Sequence, residues 1–214
     1  MEGKIYIKEK SVIILLMLIF SVGIIGHTIS YTRDIMRFLT PFTLSLTSVV
    51  VFFTFFNRVN KNFFYWFFLT FVSTFILEVI GIKTGLIFGS YTYGNVLGPH
   101  LLDVPLLIGI NWALIILGAI LISAKLTKNK ILMPLLAGLF AVTFDLVLEP
   151  VAIKLNYWNW EGGNIPFQNY IAWFVIGTIA SILFSLMSVK VNDEVPKYYF
   201  IAQFLFFVAL YLIL

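Results

Sequence analysis

Cysteine is absent from the 214-residue chain, which excludes disulfides, thiolate metal sites and a cysteine nucleophile. Histidine is nearly absent. His27 and His100 are the only two, and neither sits in a two-histidine ligand spacing, so no metal is expected. Charge is scarce too, at 11% of residues, where a soluble domain carries about 25%. The formal net charge of +4 is spread between apolar runs, which points to topology signals at lipid headgroups and not to a nucleic-acid partner. The glycines of "GIKTGLIFGSYTYGNVLG" follow no strand, so they make a poor nucleotide fingerprint. They serve tight turns and close helix approach instead. No internal or inverted repeat is visible, which counts against a transporter.

What the chain has in quantity is oil. Hydrophobic residues make up 61% and the mean hydropathy is +1.01. Too little polar surface remains to cover a water-soluble globule, so the solvent is lipid. A bilayer-crossing helix needs about 20 mostly apolar residues. Seven stretches come close: Ser11–Ile29, Leu39–Phe56, Phe63–Ile80, Val104–Ser123, Ile131–Leu148, Tyr170–Val189 and Tyr198–Leu214. The predicted architecture is all-α, a polytopic bundle of seven transmembrane helices forming one domain over residues 1–214. The lysines of Met1–Lys10 precede an apolar run with no small-residue cleavage site, so that run reads as a retained first helix. The last helix holds no lysine for a Schiff base, which excludes a retinal protein.

Charge bias orients the bundle. With a cytoplasmic N-terminus, Lys4, Lys8, Lys10, Arg58, Lys61, Lys125, Lys128, Lys130, Lys190 and Lys197 fall inside, and Arg33, Arg37, Lys83 and Lys154 fall outside. Ten against four places the N-terminus in and the C-terminus out, in the cell membrane. The two longest connections, Gly81–Asp103 and Glu149–Asn169, then share the outer side. Long connections rich in glycine and aromatics are usually functional, and non-helical backbone at membrane depth survives only where protein buries it.

Four acids lie near that side: Glu78, Asp103, Asp145 and Glu149. An acid at the centre of a transmembrane helix costs roughly 2.5–3.5 kcal/mol on insertion scales, so such groups mark functional sites by default. Glu78 and Asp145 carry the most weight, being flanked by apolar residues, whereas Asp103 and Glu149 are more easily solvated. Asp145 and Glu149 share a face because residues four apart do. Pro150 is expected to end the fifth helix at Glu149. Carboxyls paired in low dielectric do not ionise together; one keeps its proton, which supplies an acid and a base from one residue type. Trp112, Trp158, Trp160, Trp173, Tyr91 and Tyr93 stand close in sequence to these acids. Singly, each ring fits an interfacial aromatic belt; clustered beside a buried acid, their π-faces suit a carbocation. The chemistry expected is protonation of an alkene, in a cleft wide enough for a hydrocarbon tip.

The segments "EVIGIKTGLIFGSYTYGNVLGPHLLDVPLLIGINW" (Glu78–Trp112) and "DLVLEPVAIKLNYWNWEGGNIPFQNYIAWF" (Asp145–Phe174) resemble the CruF-type carotenoid biosynthesis family. The likeness covers the third to sixth helices, around half the chain, and is weak in the first two and the last. The resemblance implies a membrane hydratase that adds water to the terminal double bond of an acyclic carotenoid end, of the γ-carotene, lycopene or bacterioruberin-precursor type. The same loops look distantly like heterodimer-type lycopene cyclase domains. There "PFQN" stands where that group carries "P.EE", which counts against a cyclase. A non-catalytic carotenoid- or lipid-binding protein is the third alternative.

The expected roles follow from residue chemistry. Asp145 or Glu78 is the protonated acid; the other, helped by Glu149 and Asn169, orients water and takes its proton. Trp112, Trp158, Trp160, Tyr91, Tyr93 and Asp103 line the substrate, and Asn111, Asn169 and Thr84 hold water. Helix–helix hydrogen bonding is the plain alternative for the amides. No cofactor is expected. The partners are a carotenoid drawn from the bilayer, membrane lipids and other enzymes of carotenoid synthesis.

Overall fold

The computed structural model describes residues 9–214; Lys4 and Lys8, counted above on the inner side, lie outside them. Seven helices are long and apolar enough to cross a bilayer. They are α1 (Glu9–Thr28), α2 (Ser30–Phe55), α3 (Lys61–Thr84), α4 (Leu106–Leu126), α5 (Leu132–Lys154), α6 (Phe167–Leu186) and α7 (Val195–Ile213). Among the described residues there are also four short strands: β1 (Tyr91–Tyr93), β2 (His100–Leu101), β3 (Val104–Pro105) and β4 (Trp158–Trp160).

α4 is apolar all round and is the most enclosed helix, with α2, α3, α5 and α7 packed about it. α5 lies closest to α6. A Cβ on Gly138 would meet Thr178 Oγ1 at 2.2 Å and Phe174 O at 2.5 Å, so only glycine lets the two backbones approach this far. That approach matters because α5 carries two of the acids and α6 carries Asn169 in its first turn. The opposite end is tied by Arg58, which pairs with Glu9 and, at 3.0 Å, with Asp193.

Several helix ends differ from the sequence reading. α2 starts at Ser30, so Arg33 and Arg37 belong to its first turns and a single residue, Ile29, separates it from α1. Arg33 Nε donates to His27 O at 2.9 Å, and Arg37 Nε to Leu155 O at 3.0 Å, which offsets the burial of these polar groups in an otherwise apolar helix. α4 starts two residues later than expected, which leaves Asp103 in a turn.

α5 does not stop at Glu149. It runs through Pro150 to Lys154. A proline removes one helix hydrogen bond, but the turn beyond it is held by a local bond, Tyr157 N–H donating to Ala152 O at 2.8 Å, and by a tertiary one, from Arg37 of α2 to Leu155 O. Membrane helices tolerate interior proline for this reason. Glu149 therefore sits inside the helix and not at its mouth.

The two long connections are not simple loops. β1 pairs antiparallel with β4 in the register Tyr91↔Trp160, Thr92↔Asn159, Tyr93↔Trp158. Side chains alternate across a strand, so both tyrosines and both tryptophans project to one face, while Thr92 and Asn159 face out, exposed. This ribbon caps the end of the bundle where α3 and α5 finish.

Candidate active site

Glu78 comes from the last turns of α3, Asp145 and Glu149 from α5, and Asn169 from α6. Their exposures are 3%, 1%, 2% and 2%. All four line one cavity with Tyr91, Tyr93, Trp158 and Trp160 of the ribbon, and Trp112 and Trp173 of α4 and α6. Carboxyls buried this deeply persist only where hydrogen bonds compensate, and the partners here are divided unequally.

Glu149 receives the most. Trp158 Nε1 and Trp160 Nε1 donate to its Oε2 at 2.9 and 2.7 Å, and Asn169 Nδ2 to its Oε1 at 3.2 Å. Three N–H donors and no acceptor face it, the environment of an ionised carboxylate. Glu78 Oε2 accepts from the Tyr91 hydroxyl and, at 2.9 Å, from the Tyr93 hydroxyl. Asp145 has one bond, from Asn169 Nδ2 to Oδ2 at 2.6 Å. Its Oδ1 has no protein donor.

Burial first, then the charge of Glu78, pushes the Tyr91 and Tyr93 phenols well above the ordinary tyrosine value. Both stay protonated donors at any physiological pH. Trp112 and Trp173 stack at 3.5 Å with planes 14° apart, and Phe88 continues the stack on Trp173 at 5.3 Å. Tyr91 leans on Trp160 at 4.7 Å. The acids are thus enclosed by π-faces and N–H or O–H donors.

The cavity is about 20 Å³. A single water needs about 10–15 Å³ on this measure, so one water fits and a hydrocarbon tip does not. The wide cleft expected from the sequence is absent.

Of the residues proposed from sequence, Glu78, Asp145, Glu149, Asn169, Trp112, Trp158, Trp160, Tyr91 and Tyr93 meet at this cavity. Three do not. Asp103 lies exposed in the β2–β3 turn at φ 69°, because α4 begins after it. Asn111 precedes Trp112, but successive helical residues point about 100° apart. It faces α7 instead, accepting from Tyr199 and Gln203 at 3.0 and 2.9 Å. Thr84 caps its own helix, donating to Ile80 O at 2.7 Å. Glu149, read as more easily solvated, is as buried as Asp145. The sequence reading missed Phe88; the only cue was its place among small and aromatic residues in "IFGSY".

Bisanhydrobacterioruberin hydratase of Haloarcula japonica is 36% identical over 118 residues, 50% of this chain and 40% of that protein. This chain therefore matches less than half the length of that relative. No solved structure matches the chain. The sequence pattern of the family described as carotenoid biosynthesis protein matches residues 39–214, further than the resemblance first seen, taking in most of α2 and all of α7. Because that match spans most of the chain and contains every side chain of the acid cavity, the chain belongs to the carotenoid biosynthesis protein family.

Proposed function

We propose that the chain is a hydro-lyase that adds water to the terminal C=C of an acyclic carotenoid end. The observation that carries the reading is the acid cavity itself, with three carboxyls of unequal hydrogen bonding around room for one water. The similar Haloarcula japonica protein is named as a hydratase, the same class of reaction.

In this reading Asp145 is the acid. Asp145 Oδ1 and Glu78 Oε1 both lack a protein donor, but Asp145 accepts one hydrogen bond against two at Glu78 and three at Glu149. Its anion is therefore the least stabilised, and it is the carboxyl that keeps a proton to deliver. That proton adds to the less substituted alkene carbon, and the alkene π pair forms the new C–H bond. The tertiary cation left behind lies against the faces of Trp112, Trp158 and Trp160. Ionised Glu149 stabilises it electrostatically. Water donates a lone pair to the cation, forming the C–O bond, and the proton it sheds passes to Glu78. Return of that proton to Asp145 closes the cycle. Oxidation state does not change overall, so no redox cofactor is called for. Tyr91, Tyr93 and Asn169 position the carboxyls.

The room for water distinguishes this reading from cyclisation, which starts from the same cation but needs water excluded. The polyene is drawn from the bilayer, and the enzyme sits in the cell membrane with its N-terminus in the cytoplasm and the acid cavity near the outer surface. Expression in cells that make lycopene or γ-carotene, followed by mass measurement of the pigment, tests it. One added water per reacted end is expected. A ring-ended product of unchanged mass would convert the assignment to a cyclase, and pigment that co-purifies unaltered would convert it to a binding protein.

A further inference from the structure

A second space opens between α1, α2 and α7, away from the acids. It is about 310 Å³, walled chiefly by apolar side chains, with Gln203 and Tyr157 among its few polar members. Leu18 and Val22 on its margin are 58% and 61% exposed, so in a membrane this side is open to lipid.

His27 lines this groove and is only 4% exposed. Its Nδ1 lies 2.7 Å from Gly23 O, one turn back on the same helix. A carbonyl oxygen only accepts, so Nδ1 carries the hydrogen and, in the neutral ring, Nε2 keeps a lone pair. With Nδ1 turned to its own helix, Nε2 points away from it. That nitrogen is closed to water and has no hydrogen-bond partner; among such buried side-chain N and O atoms of the described residues, only Thr178 Oγ1 shares the condition. A ligand hydroxyl therefore reaches Nε2 by turning aside a neighbouring groove ring such as Phe206, whose centre lies 5.7 Å from the imidazole. An unsatisfied buried acceptor is costly and calls for an explanation.

Two further polar side chains of the groove, Thr40 and Tyr157, are bonded to each other. Thr40 Oγ1 donates to Met36 O at 3.0 Å, so in its 3.3 Å contact with the Tyr157 hydroxyl it accepts. Burial raises the Tyr157 phenol to about 12, which keeps its hydrogen in place for that bond. The groove thus offers acceptors at the edge of an apolar volume, with one donor group, the Gln203 amide, whose Nε2 already gives one hydrogen to Asn111 Oδ1. A carboxylate or phosphate has no hydrogen to give them; an alcohol on a hydrocarbon does.

The groove also shares a wall with the acid cavity. Phe207 packs edge-on against Phe144 at 5.7 Å, Phe144 against Trp112 at 5.9 Å, and Tyr157 adjoins Trp158 in the chain. We propose that this groove is a second binding site, for the tertiary-alcohol end of an isoprenoid hydrocarbon, with His27 Nε2 accepting the hydroxyl hydrogen. The identity of the alcohol rests on the hydratase reading: it is the hydrated polyene end after it leaves the acids.

The test uses the full chain in lipid nanodiscs and two probes: geranyllinalool, an isoprenoid with a tertiary hydroxyl, and its anhydro counterpart β-springene. The wild-type protein should bind the alcohol about tenfold more tightly, the worth of one such hydrogen bond. Nitrogen NMR of the two histidines should show the His27 Nε2 resonance moving upfield with the alcohol only. His27→Phe should remove the preference and leave β-springene binding unchanged. Equal affinities in the wild type, or a preference that survives His27→Phe, overturns the proposal. So does failure of either probe to bind, which would mark the groove as a seat for bilayer lipid. A protein that prefers the alcohol yet adds no water to pigment loses the hydratase reading and keeps the groove. One that hydrates pigment but binds both probes equally loses the groove alone.

Discussion

Asp145→Asn separates chemistry from architecture at the acid cavity. The side chain is 1% exposed and makes one hydrogen bond, accepting from Asn169 Nδ2 at 2.6 Å. An amide has the same shape, and its carbonyl oxygen accepts that same bond, so the fold should lose under about 1 kcal/mol. The amide cannot deliver a proton to an alkene. A positioned general acid contributes about a hundred- to ten-thousandfold, equivalent to about 3–5 kcal/mol of barrier. The variant should therefore reach the membrane, melt in detergent within a few degrees of the parent, and hydrate pigment at least about a hundredfold more slowly. Purified protein in nanodiscs, a lycopene substrate and mass detection of the hydrated product give both readouts. Near-normal turnover would remove Asp145 from the proton path. A rate loss that merely tracked a fall in melting temperature would show that the residue matters for folding alone.

Trp160→Phe keeps a ring against Tyr91 but removes the 2.7 Å N–H bond to Glu149. A hydrogen bond to a charged group is worth about 1.5–3 kcal/mol, so hydration should slow about ten- to a hundredfold. Adding Trp158→Phe should cost something other than an equal second step, because both indoles serve Oε2. Asp103→Asn, in the exposed turn, should leave the hydration rate within about twofold, as an expression-matched pigment assay would show. Gly138→Ala drives a methyl group into Thr178 Oγ1 and Phe174 O, and should destabilise the α5–α6 pair by about 1–3 kcal/mol, read by thermal melting. The Tyr157 phenol sits at about 12 against an ordinary 10.0. The unfolded chain gives up this proton first, so stability is full below pH 10.0 and falls as pH rises towards about 12. Over that window Tyr157→Phe should fall less steeply by about 1.4 kcal/mol per pH unit in alkaline denaturation.

The interiors of the seven helices were legible because each needs a long apolar run and little else. Their ends were not. Arg33 and Arg37 look like loop residues, yet they continue α2 because His27 O and Leu155 O are waiting to accept from them. Pro150 looks like a stop, yet α5 runs past it to a turn that Arg37 of α2 holds through Leu155 O. In both cases the bond from Arg37 to Leu155 O, between α2 and the end of α5, works against a local rule. The site was legible in its acids and aromatics, whose cost in an apolar chain is visible from composition. What joins them was harder to see. The β1–β4 ribbon has three residues per strand, and its partners come from opposite ends of the site in sequence. Its cue was the alternation in "YTY" and "WNW", a period of two that places like side chains on one face. Asn111 shows the converse limit: next to Trp112 in sequence, it belongs to a different helix contact.

The size of the acid cavity bears on the outcome of the proposed reaction. A space of about 20 Å³ admits water but no branched alkene end, so the end can reach Asp145 only by displacing part of the wall. Glu149 and Asn169 are carried by the closely packed pair α5 and α6, and the stacked Trp112–Trp173 pair is held from within the bundle. The ribbon is the thinner wall: a two-stranded sheet is marginally stable by itself, and its tyrosines and tryptophans reach the acids through single hydrogen bonds. In the proposed reaction the ribbon shifts outward to admit the end and closes again, so that Trp158 and Trp160 meet the cation, while Asp145 keeps its Asn169 bond throughout. The acid then stays in place as the alkene arrives, and polar groups that can retain a water stand beside the site of the cation. In the hydratase reading proposed above, capture by water then precedes ring closure, because the cavity has room for a water and the neighbouring double bond lies outside it.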